Sequence, residues 1–153
     1  MKLEPDDIAA LDDGQKVAVL EALVTAIFSD GKITPGEVRR FDEIVLNLPW
    51  GVEPAVLDAM VKGTQTRVAG LKTLPQITDF VANLAARLPT PELRDKVVYT
   101  MATVMYADGE VSQLEKNVLG MFVLSFGITS DRLAAIKSAV TGQPISVPPS
   151  TAS

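Results

Sequence analysis

The sequence predicts an all-α fold: a single helical bundle holding two pseudo-symmetric helix hairpins, each built around an Asp-Gly turn. Three observations lead there. Apolar residues recur at helical spacing along most of the chain, with no strand-like alternation bounded by turns. Helix starts and stops are spelled out by capping residues, prolines and glycines. A shift of 78 positions superposes Asp30-Gly31-Lys32-Ile33-Thr34 on Asp108-Gly109-Glu110-Val111-Ser112, and Glu37 on Glu115.

The first helix is announced by Leu20, Leu23, Val24, Ile27 and Phe28, which continue the i, i+3, i+4 spacing begun at Val17 and so share one face. It should stop at Asp30-Gly31, where glycine enters the left-handed conformation at little steric cost. Asp12-Asp13-Gly14 upstream reads as a turn or helix start. Thr34-Pro35-Gly36-Glu37 is a capping box with proline at the first helical position, and Val38, Phe41, Ile44, Val45 and Leu48 carry the helix behind it. Pro49-Trp50-Gly51 ends that helix, with Trp50 expected to anchor the loop. Glu53-Pro54 opens a shorter helix through Val56, Leu57, Met60 and Val61, and Gly63-Thr64-Gln65 reads as a connection.

After an ambiguous stretch from Val68, a stripe of Leu74, Ile77, Val81, Leu84, Ala85 and Leu88 predicts the next helix. Thr90-Pro91 caps and starts another that reaches Asp108. Ser112 begins a helix that ends near Gly127, and Thr129 or Ser130 caps a last one through Leu133, Ile136 and Val140. The domain is thus placed at residues 1–142. The tail, 143–153, with three prolines and mostly small or polar residues, has too little to bury and is expected to be disordered.

The repeat extends beyond the turns. Leu23, Val24 and Ile27 fall on Met101, Ala102 and Met105, and Phe41, Ile44, Val45 and Leu48 fall on Leu119, Phe122, Val123 and Phe126. Hairpins that cannot bury an apolar face alone are expected to pack on each other about a pseudo-twofold axis.

Composition bounds the chemistry. A chain of 153 residues, 47% hydrophobic, buries a full core on its own. A net charge of −5 without any basic run argues against nucleic acid as a partner. The chain has neither Cys nor His, which removes thiolate and imidazole metal sites, cysteine nucleophiles and Ser-His-Asp triads. The acidic N-terminus lacks a signal-peptide pattern and no apolar run reaches the ~20 residues of a membrane span. The protein is therefore expected to be cytoplasmic, without direct membrane insertion.

Four acids stand out: Asp30, Glu37, Asp108 and Glu115. Glu37 and Glu115 occupy the third helical position of a capping box, a role that explains both without a ligand. Asp30 and Asp108 also suit a turn before glycine. An aspartate at a helix C-terminus nevertheless faces the negative end of the dipole, at a cost of roughly 0.3–1 kcal/mol. Its recurrence with a glutamate seven positions on suggests a carboxylate cluster that needs a cation. Oxygen donors suit Ca²⁺, Mg²⁺ or Mn²⁺. The loops are not EF-hands, since glycine directly follows the first Asp, and an ion would have to be shared between them.

The paired motif, Ser29 to Glu37 and Ala107 to Glu115, resembles the TerB family of tellurite-resistance proteins, and the resemblance runs to about Val140. It implies an all-helical domain with internal pseudo-symmetry, a metal site at Asp30, Glu37, Asp108 and Glu115, and a non-enzymatic role in bacterial stress response beside a protein partner associated with membranes. Lys32, Gly36 and Leu114 stand where more acidic forms of the motif carry carboxylates. Three readings follow: a divalent-metal-binding scaffold without organic cofactor; a metal-free interaction module whose acids are caps and turns and whose interhelical groove receives a partner's apolar helix; and, third, a Mg²⁺-dependent enzyme, disfavoured because no phosphate loop or nucleophile elbow accompanies the acids.

Overall fold

The computed structural model describes residues 3–27, 35–88, 90–106 and 113–141. Among these there are eight α-helices and no strand: α1 Pro5–Ala9, α2 Asp13–Ile27, α3 Pro35–Phe41, α4 Pro54–Ala69, α5 Leu74–Ala86, α6 Pro91–Met105, α7 Gln113–Ser125 and α8 Ser130–Thr141. A π-helical turn, Asp42–Leu46, continues α3. The all-α class is as the sequence predicts.

Two helices form the centre. α2 packs against α4, α5, α6 and α7, and α6 packs against α2, α3, α7 and α8. Being enclosed by neighbours changes the reading of α2 as a one-faced helix: every residue from Ala18 to Ala26 is buried, Glu21 and Thr25 included. A helix covered all round carries no amphipathic stripe, and the small side chains of Ala18, Ala22 and Ala26 fill the sides that the larger apolar residues do not. Leu20, Leu23, Val24, Met101, Met105 and Phe122 are fully buried and make up the middle of the core.

Element ends follow local chemistry. Asp12 and Gln15 form a reciprocal cap, with the Gln15 amide donating to Asp12 Oδ1 at 2.8 Å and the Asp12 amide to Gln15 Oε1 at 3.0 Å, so Asp12-Asp13-Gly14 is a helix start. Thr73, Thr90 and Thr129 each accept a hydrogen bond from the amide three residues on. At the end of α7 the Ile128 amide reaches the Val123 carbonyl at 3.0 Å and the Gly127 amide the Leu124 carbonyl at 3.2 Å. This paired closure needs the left-handed residue supplied by Gly127 at φ 69°. Arg94 then fastens two helix ends, donating to the Ala85 carbonyl at 2.8 Å and the Phe126 carbonyl at 3.4 Å, where a cation also meets the negative ends of α5 and α7.

Four expectations are corrected. Gly63-Thr64-Gln65 is not a connection but the interior of α4. A lone glycine costs a helix only ~1 kcal/mol, and here the buried Thr64 donates to the Met60 carbonyl at 2.9 Å while the helix packs along α2. The stretch behind Pro35 is not one α-helix, because it widens into the π turn after Phe41. Val38 is not core: it is 42% exposed. Leu74, first residue of α5, is exposed as well, leaving Val81, Leu84, Ala85 and Leu88 as the buried part of that stripe. The tail beyond residue 142 lies outside the described residues.

The repeat has a structural counterpart in its first helices. α2 and α6 begin 78 positions apart, at Asp13 and Pro91, the offset found in the sequence. The two Asp-Gly turns, and any axis they would define, lie outside the described residues.

Candidate functional site

Glu37 and Glu115 lie in α3 and α7, whose described residues begin at Pro35 and Gln113. Their side chains, and the whole of Asp30 and Asp108, lie outside the described residues, as do Thr34 and Ser112. The helices that lead into and out of the two turns are in mutual contact: α2 lies on α6 and also on α7, while α3 lies on α6. Among the described residues no three carboxylates come close enough to hold an ion.

Charge inside the domain is concentrated on one residue that sequence reasoning passed over. Glu21, in the buried span of α2, has a side chain only 10% exposed and takes two arginines: Arg67 Nη2 from α4 at 2.9 Å and Arg87 Nη2, just past α5, at 3.4 Å. Arg67 also donates to Thr64 Oγ1 at 3.2 Å, which fixes the guanidinium against α4. The pairing explains how a glutamate enters a core helix: both carboxylate oxygens meet a cation. A Glu amid Val19, Leu20, Ala22 and Leu23 was the available signal, since an acid inside an apolar run is buried only with a partner.

A second charged contact ties the N-terminus to the centre. Lys96 Nζ of α6 lies 2.8 Å from Asp7 Oδ1 of α1, and the Glu4 amide donates to Asp7 Oδ2 at 2.8 Å. Burial works against the charged form of Asp7, but the hydrogen bonds from Lys96 and the Glu4 amide outweigh it and hold the carboxyl below its ordinary value.

An apolar groove of about 360 Å³ lies between α3 with its π turn on one side and α4 on the other, closed at one end by the loop around Trp50. Phe41 and Leu57 lie in it, and Val38, Leu46 and Val52 line it while remaining 42, 36 and 42% exposed. Trp50 is held in place by its Nε1–H, which donates to the Val45 carbonyl at 2.8 Å, and the chain turns beside it through Gly51 at φ 77°. The anchoring role read for Trp50 is thus what the structure shows. The groove itself was not legible, because Val38 has the spacing of a core residue and only the position of α4 leaves it uncovered.

Among the described residues no helix is long and apolar enough to cross a membrane. The family model for tellurite resistance protein TerB matches residues 16–138, which is most of the chain. No curated protein and no solved structure gives a significant match.

Proposed function

Since the chain belongs to the TerB family of tellurite-resistance proteins, we propose that it is a non-enzymatic helical scaffold in which paired Asp-Gly turns hold one divalent cation, acting in a bacterial response to tellurite or related chemical stress. The observation that carries this reading is the repeat: Asp-Gly with a glutamate seven positions after the aspartate occurs twice, behind two first helices that begin 78 positions apart. The packing of α2 on α6 and α7, and of α3 on α6, supports a site shared between the hairpins.

The donor set fits such an ion. A chain without Cys or His offers only oxygen ligands, which select Ca²⁺, Mg²⁺ or Mn²⁺ over zinc or copper. Asp30, Glu37, Asp108 and Glu115 would hold it, and the ion would supply the positive charge that four converging carboxylates need. The absence of imidazole, thiol and a phosphate-binding loop supports a binding role over a catalytic one.

Thermal melts test the proposal. An ion present at about 100 times its Kd stabilises the folded state by ~2.7 kcal/mol, which raises Tm by roughly 5–10 °C for a chain of this size. Melts in millimolar Ca²⁺, Mg²⁺ and Mn²⁺ should therefore exceed those in chelator, and the Asp30→Asn/Asp108→Asn variant should lose the difference while folding normally. Coincident melts with all three ions and with chelator would overturn it.

A further inference from the structure

We propose that the groove between α3 and α4 is a docking site for an amphipathic helix whose apolar stripe is flanked by Lys or Arg. This inference does not rest on the cation reading. Both long walls of the groove are helical, which suits a third helix laid between them with anchors at i, i+3 or i+4, and i+7. Val38, Leu46 and Val52 keep about two fifths of their surface in water although they line a concavity floored by Phe41 and Leu57. Burying them under an apolar stripe would be favourable in proportion to that area.

Charge narrows the occupant. The charged side chains lining the groove are Asp42 and Asp58, and among the described residues no basic side chain lines it. Among the described residues Asp58 is engaged by an exposed i,i+4 pair with Lys62, a weak contact that an incoming cation can replace. An acidic margin around an apolar floor attracts basic flanks and repels acidic ones. The chain's own tail does not match, because residues 142–153 contain neither Lys nor Arg.

The wall at Asp42–Leu46 supports the same assignment. It is π-helical, a rare geometry that is frequent at functional sites, and it bears both Asp42 and Leu46. The groove is also preformed, since the Trp50 indole is fixed by its bond to Val45 and does not have to be ordered on binding.

The probe is a displayed library of amphipathic helices about four turns long, with leucine at the anchor positions and flanks randomised among Lys, Glu and Ser. It is selected against the full chain in the presence of chelator. Enriched clones are expected to carry Lys flanks. Their synthetic peptides should shift the emission of Trp50, the chain's single tryptophan, and should bind at least about tenfold more weakly to Val38→Asp and to Val52→Asp. Leu124→Asp, at an 82% exposed position outside the groove, should bind as the parent does. Asp42→Lys/Asp58→Lys should reverse the flank preference to Glu. The replaced side chains are exposed, so the variants should keep the parent's circular dichroism. Enrichment of Glu flanks, absence of enrichment, binding unmoved by both valine variants, or a dimer of the protein itself that Val38→Asp dissolves would each overturn the proposal.

Discussion

Replacing Arg67 and Arg87 together by methionine would leave the Glu21 carboxylate, 10% exposed, without either of the cations that hold it at 2.9 and 3.4 Å. Removing the partners of a buried ion costs about 3–5 kcal/mol. The lower end applies here, because Arg67 lies 56% exposed and water can follow where it is removed, so about 3 kcal/mol is expected. Glu21→Leu should cost much less, about 1 kcal/mol. The two arginines it releases already stand 56 and 36% in solvent, and the leucine joins a helix buried on all sides. The order is diagnostic: the double arginine variant should melt roughly 6–12 °C below the parent and Glu21→Leu roughly 2–4 °C below. Adding Glu21→Leu to the double variant should restore most of the loss, since no ion is left to strand. Urea unfolding followed by circular dichroism gives the three values. If the arginine pair costs no more than Glu21→Leu, or if adding Glu21→Leu rescues nothing, Glu21 is not a buried ion held by its partners.

Gly63 lies mid-helix in α4 and a Cβ there would meet nothing within 4 Å, so Gly63→Ala should gain up to ~1 kcal/mol, read as a Tm rise of about 2–4 °C; a fall would mean that α4 is not continuous there. Trp50→Phe removes the indole bond to the Val45 carbonyl, which keeps the Leu48 amide at 3.2 Å, and should cost about 1 kcal/mol in urea unfolding, whereas a neutral result would remove the indole bond from the account. The Asp7 carboxyl lies below its ordinary value of 3.8 in the folded state, so the unfolded chain binds its proton first as pH falls. The stabilisation is complete above 3.8 and disappears as pH drops through the lower folded value. Asp7 and Lys96 are each about a quarter exposed, which limits the effect to about 1 kcal/mol. Asp7→Asn should therefore lower stability at neutral pH and flatten the acid limb, and an unchanged acid limb would count against the Lys96 contact.

What the sequence determined by itself is the helical class and most of the punctuation. Caps at Thr90 and Thr129, the stop at Gly127 and the proline starts of α4 and α6 depend on a few neighbouring backbone groups, so local residue identity suffices. The family motif was legible because it is written twice in the sequence, 78 positions apart. Of the four acids, the described residues place Glu37 and Glu115 in helices.

Other features depended on which helices meet. Spacing shows that α2 is helical, but its burial on every side follows from the four helices around it. Gly63 looks like a break because glycine weakens an isolated helix, and it is not one because packing on α2 outweighs a penalty of ~1 kcal/mol. Glu21 enters the core because Arg67 and Arg87, 46 and 66 residues away in sequence, converge on it. Val38 has the periodicity of a buried residue and lines an open groove, since hydrophobic spacing records which face is apolar while only the tertiary arrangement decides whether another element covers it.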